Sequence, residues 1–132
     1  MFSKSCNYAI KATIFIAKHS LEEKKIGFVD IAKEIDSPQA FTAKILQILV
    51  KAGIIDSVKG VNGGFYIQKK RIASTFLVEI VNAIDGDTVF NGCGLGLSQC
   101  SEDHPCPVHD KFKSIREELA KMLENTNLEE LA

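Results

Sequence analysis

The segment from Phe28 to Gln68 constrains the fold of this chain most, because its hydrophobic period changes once and glycine or proline punctuates both halves. Phe28, Ile31, Ala32 and Ile35 fall at i, i+3, i+4 and i+7, which predicts a short amphipathic helix. Asp36-Ser37-Pro38 is a stop-and-start signal, since Ser37 suits the cap of a following helix and Pro38 its first turn. Phe41, Ile45, Ile48, Leu49 and Ala52 mark the expected buried face of that next helix, and Gly53 is placed to end it. Beyond Gly53 the period falls to that of a strand. Residues 55–58 and 65–68 read as two short strands around Lys59-Gly60-Val61-Asn62-Gly63-Gly64, a turn with freedom for positive φ. Two helices joined by a tight turn and followed at once by a hairpin make a helix-turn-helix with a wing.

The flanks are helical. From Asn7 to Ser20, Ile10, Ile14 and Ala17, with Ala9, Ala12 and Ile16 beside them, repeat at helical spacing, while Lys4, Lys11 and Lys18 form a basic stripe. Residues 21–27 read as a charged turn. Leu77, Ile80, Val81 and Ile84 predict another helix, with Ser74 or Thr75 as cap and Asp85-Gly86-Asp87 as terminator. From Asp110, the spacing of Phe112, Ile115, Leu119 and Met122 describes a helix with a narrow apolar seam that calls for a partner. Packing within the monomer would satisfy it. A second copy would do so too, and would supply the two-fold symmetry suited to a palindromic DNA site. The expected fold is therefore mainly α with a small β-hairpin wing: a winged helix-turn-helix over residues 1–72, then residues 73–132 with a helix, a cysteine-rich loop (91–109) and a dimerisation helix (110–124).

Charge divides along the same line. Residues 1–71 carry twelve Lys and Arg against six Asp and Glu, whereas residues 72–132 carry four against eleven. Only the first half suits a polyanion. Gln39, Thr42, Ala43 and Lys44 are small, polar or basic early positions of the third helix, as a helix entering a major groove requires. In the wing, Lys59 supplies charge and Gly60 allows close backbone approach. No apolar run is long enough to span a membrane, and the N-terminal stretch lacks the core of a signal peptide, so a cytoplasmic protein is expected.

Between the last two long helical patterns lies Cys-Gly-Leu-Gly-Leu-Ser-Gln-Cys-Ser-Glu-Asp-His-Pro-Cys-Pro-Val-His, residues 93–109, which holds three of the four cysteines and two of the three histidines. Glycine and proline keep this stretch irregular, so packing does not explain its soft donors. It reads as a metal or iron-sulfur site. Cys93, Cys100, Cys106 and His109 are the candidate ligands, His104 is the competing imidazole, and zinc also accepts three thiolates and one imidazole.

With these residues in view, the chain resembles the IscR/NsrR, or Rrf-two, family of bacterial winged-helix transcription regulators. The likeness rests on Tyr8-Ala9, Ile31-Ala32, Ala52-Gly53-Ile54, Ser57-Val58-Lys59-Gly60 with Gly63-Gly64-Phe65, residues 80–86, and three cysteines before a long helix. It implies a homodimer that binds double-stranded operator DNA through the helix-turn-helix and wing, adjusted in many members by an iron-sulfur cluster. On the reading of the residues themselves, the expected DNA contacts are Ser37, Thr42, Lys44, Lys59 and Gly60. The closing Cys-Pro-Val-His is similar to the three-cysteine, one-histidine set of 2Fe-2S members, although the first gap, six residues from Cys93 to Cys100, is one longer than that pattern. A 4Fe-4S cluster is the variant. In some such members a carboxylate near the start of the first helix is the fourth ligand; the matching position here is Asn7, a poor iron ligand, with Cys6 beside it. A small iron-sulfur electron carrier and a zinc-stabilised regulator are the competing functions. No nucleophile-base pair, phosphate loop or carboxylate dyad points to an enzyme.

Overall fold

The computed structural model describes residues 2–86 and 110–132, together with the backbone of His109. The chain runs α1 (Lys4–Leu21), α2 (Phe28–Ile35), α3 (Gln39–Lys51), β1 (Asp56–Val58), β2 (Gly64–Tyr66), α4 (Lys69–Ile72), α5 (Leu77–Asp85), α6 (His109–Asn125) and α7 (Leu128–Leu131). It is mainly helical with one antiparallel hairpin.

Helix α1 is the hub. It packs against α2, α3, α4, α5, α7 and β2, and it can do so because its buried positions are mostly small: Cys6, Ala9, Ala12, Thr13, Ala17 and Ser20, with Ile16 as the one bulky member. Small side chains let several elements approach one axis closely, and burial of the surrounding isoleucines and leucines then drives the packing. Ile10 and Ile14, expected to head the apolar stripe, lie half-buried at its edge, whereas Lys4, Lys11 and Lys18 are exposed as expected. Thr13 turns its hydroxyl to Ala9 O at 2.7 Å, so its polar atom is satisfied in the core.

Three helices end in the same way. After α3 the chain passes through Gly53 at φ +78, with Ile54 N–H donating to Leu49 O and Gly53 N–H to Val50 O, each at 3.0 Å. These two bonds define a Schellman stop, and glycine takes the left-handed residue without strain. Asp36 (φ 54) and Glu23 (φ 60) take that position after α2 and α1.

Ser57 pairs with Phe65 in the hairpin, and Phe65 also exchanges backbone bonds with Ile26 (3.1 and 2.8 Å). Ile26 thus makes a one-residue third strand that ties the wing to the helix pair, within the stretch expected to be only a charged turn. Helix α5 starts at the Phe76 cap rather than at Ser74 or Thr75: the Glu79 carboxylate accepts from Phe76 N–H at 2.7 Å. Thr75 is buried, and its carbonyl accepts from Leu128 N–H while Leu77 N–H donates to Thr126 O, both at 3.0 Å. These bonds clip the chain after α6 back onto the start of α5. Helices α5 and α7, both in the second half, pack on α1, whereas the main partner of α6 among the described elements is α5. No helix among the described residues is long and apolar enough to cross a membrane.

Candidate functional site

The turn between α2 and α3 sets the presentation of α3. Asp36 in the left-handed region reverses the chain, and Ser37 N–H returns to Ala32 O at 3.0 Å. Pro38 stands at the cap of α3, where the lack of an N–H costs nothing, and its carbonyl accepts from Thr42 N–H at 2.9 Å. The Ser37 hydroxyl does not cap the backbone of α3. It is hydrogen-bonded to the Thr42 hydroxyl, which also donates to Pro38 O at 2.9 Å.

Thr42 therefore departs from its expected place. Only 1% exposed, it faces the core instead of a groove, because the inward face of α3 is Thr42, Ile45, Leu46 and Leu49. That face is rotated from the expected one. Ile48 is 36% exposed, Ala52 is exposed, and Phe41 is half-buried edge-on to Tyr8 with ring centroids 5.7 Å apart. The rotation is affordable because both bonding partners of the Thr42 hydroxyl lie in the turn itself, so burying it leaves nothing unsatisfied. The outward face of α3 is Ala40, Lys44, Gln47 and Lys51, all exposed, with Gln39 at its start. Gln47 and Lys51 were missed on the sequence alone; their helical spacing from Lys44 was the available signal.

The wing carries Lys59 and Gly60, both exposed, and Gly60 has φ +105. At Gly63 a Cβ would lie 2.0 Å from Val58 O, and at Gly64 2.9 Å from Ile26 N, so glycine is required where the hairpin folds tightly on itself and on its third strand. Val61 stands at the tip, wholly exposed. Lys44 and Lys59 have no carboxylate partner among the described residues, whereas Arg71 reaches Asp56 at 3.5 Å and Lys69 reaches Glu23 at 3.4 Å. Unpaired lysines on α3 and the wing give this end of the molecule a positive, DNA-compatible surface.

Residues 2–132 match the model of the Rrf2 family, described as an iron-dependent transcriptional regulator. The chain belongs to the Rrf2 family. Among Rrf2 relatives, the HTH-type transcriptional regulator IscR of Xenorhabdus nematophila is 27% identical over 124 residues, covering 94% of this chain and 74% of that protein. The structure of CymR, the global cysteine regulator of B. subtilis, superposes with a TM-score of 0.78 at 20% identity, covering 100% of this chain and 95% of that one. T. potens IscR gives 0.71 at 18% identity, covering 97% and 82%. This Rrf2 protein is a winged-helix, DNA-binding transcription regulator.

Cys93, Cys100 and Cys106 lie outside the described residues, as does the side chain of His109, whose backbone begins α6. Among the described residues no group of three or more metal-ligating side chains stands together. Cys6 is fully buried in α1, and its thiol is pushed up to about 12, first by burial, then by the charge of Asp85 and a hydrogen bond to it. It behaves as a small apolar residue. Its N–H donates to Ser3 Oγ at 3.0 Å, and the Ser3 hydroxyl donates to Asp85 at 2.5 Å. This chain of bonds joins the start of α1 to the last residue of α5.

Proposed function

We propose that this Rrf2 regulator acts as a homodimer whose affinity for its operator is set by a 2Fe-2S cluster on Cys93, Cys100, Cys106 and His109. The supporting observation is positional. His109, last of the four donors, is the first residue of α6, and α6 carries an apolar seam that the monomer leaves uncovered at Ile115 and Met122, 50% and 45% exposed. The sensor would thus be continuous with the helix that spaces two reading heads. Three thiolates and one imidazole suit iron-sulfur chemistry, and a bound cluster supplies a redox-active centre with a protonatable ligand.

In this reading Lys44 and the start of α3 at Ser37 meet the major groove, while Lys59 and Gly60 in the wing meet the backbone of the adjacent groove. Thr42 acts from within, holding the α2–α3 turn through Ser37 and Pro38 O. Regulation requires that loaded and unloaded protein bind the operator with different affinities, because a ligand shifts an equilibrium only by its differential binding.

The test is protein purified without oxygen, assayed for iron and sulfide and by visible absorption, then titrated onto DNA from its own upstream region with and without the cluster. Two irons per chain and a change in operator affinity on cluster removal are expected. A colourless protein without iron after reconstitution, or one holding zinc, overturns the cluster. Lys59→Ala should weaken binding to all sequences and lower the salt slope by about one; an unchanged slope removes the wing from the interface.

A further inference from the structure

On the outward face of the hairpin lies a groove of about 430 Å³, lined by the end of α1, the turn after it, both strands and α4. That volume is within the range of small-molecule sites, roughly 300–1,000 Å³. We infer that this groove is a binding site for a small organic anion with a flat apolar body, such as an aromatic carboxylate.

Three observations carry this. First, side chains alternate along the paired strands, so Val58 and Tyr66 share a face opposite Phe65, which packs on the core. Val58 is 43% exposed and Tyr66 half-buried, an apolar wall that no helix or strand among the described residues covers. Second, Lys24, Lys25 and Lys69 line the groove together with Glu23, and Glu22 pairs with Lys24 beside it, which leaves three cations against two carboxylates. Lys24 and Lys69 hold only exposed ion pairs, at 3.2 and 3.4 Å, which are worth little and easily exchanged for a ligand's charge. Lys25 has no carboxylate partner among the described residues and lies 5.7 Å from the centroid of the Tyr66 ring. Third, Ser20 at the floor is 5% exposed and its oxygen accepts from Ile67 N–H at 2.9 Å, yet its own hydroxyl proton has no acceptor among the described residues. A nearly buried hydroxyl in the lining of the groove can donate to an acceptor that enters it.

A duplex backbone would meet the lysines but would leave the Ser20 hydroxyl and the Val58–Tyr66 wall without contacts, so the small anion is favoured. Because two walls belong to the wing, an occupant would brace the element that meets DNA.

The full chain, labelled with ¹⁵N, is titrated with 2-naphthoate, with the neutral 2-naphthamide and with inorganic phosphate. Saturable shifts confined to the amides around Ser20, Lys25, Tyr66, Ile67 and Lys69 are expected for 2-naphthoate, with the amide and phosphate each binding at least several-fold more weakly. Lys25→Gln and Lys69→Gln, both surface changes, should each weaken 2-naphthoate about two- to five-fold. The inference is overturned if no saturable shift appears, if 2-naphthamide binds as well as 2-naphthoate, or if the two variants change only the salt slope of DNA binding, which would make the groove a DNA-backbone contact. None of these outcomes depends on the iron-sulfur reading.

Discussion

Helices α1 and α6 are almost equal in length, 18 and 17 residues, and both are amphipathic in sequence, yet they have opposite fates. Every apolar turn of α1 meets another element of the same chain, and seven of its residues are buried. Helix α6 is buried at Leu123 near its C-terminal end, where the clip after Asn125 holds it down, while Ile115 and Met122 remain uncovered. Periodicity says that a helix has a face to cover; it does not say whether the cover is in the same molecule. Here the difference separates a helix that builds the reading head from one that, in the proposed dimer, joins two of them.

The sharpest way to break this comparison is truncation on each helix. Ile16→Ala leaves a cavity at the centre of the hub, and a loss of about 2–5 kcal/mol is expected in urea unfolding. Ile115→Asp should cost the fold far less, since the side chain is half exposed. Its effect is expected in association: a shift from dimer to monomer in sedimentation, with affinity between copies weakened by on the order of 30-fold, as for a buried apolar anchor. If Ile115→Asp destabilises the chain as much as Ile16→Ala does and leaves association unchanged, the seam of α6 is a core face and the contrast fails.

A pH experiment tests the same burial at the start of α1. The Cys6 thiol is raised from 9.0 to about 12 by burial, aided by Asp85, so the folded chain keeps the proton that the unfolded chain releases above pH 9. More protons bound in the folded state means that stability falls as pH rises through that window, with a slope approaching about 1.4 kcal/mol per pH unit from this group. Cys6→Ala should flatten the alkaline slope by that amount. Native Cys6 should also resist alkylation at pH 8 and react on unfolding; ready labelling of the folded protein would show that the N-terminal end of α1 is open.

Much of this was legible in the chain itself. The bounds of α2 and the stop of α3 follow from spacing and from Gly53, because local sterics decide them. The inward face of α3 was not legible, since Phe41 and Ile48 make a second apolar stripe beside Ile45 and Leu49. The packing of α3 on α1, α2 and α5 chooses between the two, and the local bonds of the Thr42 hydroxyl let that face be buried. The Ile26 bridge was invisible for a related reason: one paired residue has no period. The spacing of the cysteines was plain, but those residues lie outside the described part of the chain, and their ligand role rests on their chemistry.

The smallest expected effect concerns the clip that divides α6 into a held end and an uncovered length. Asn127 caps α7 by accepting from Glu130 N–H at 3.0 Å, and the residues on either side of it bond to Thr75 and Leu77. Asn127→Ala removes the cap and should cost about 1 kcal/mol. The more telling readout is amide exchange at Leu77 and Leu128, which should accelerate together, because each depends on the other segment for its acceptor. Were only the amides of α7 to speed up, the cap would be a local matter and α6 would be held by its own packing on the core through Leu119 and Leu123. Joint acceleration with unchanged exchange in α1 would place the boundary between the reading head and the long helix at this clip.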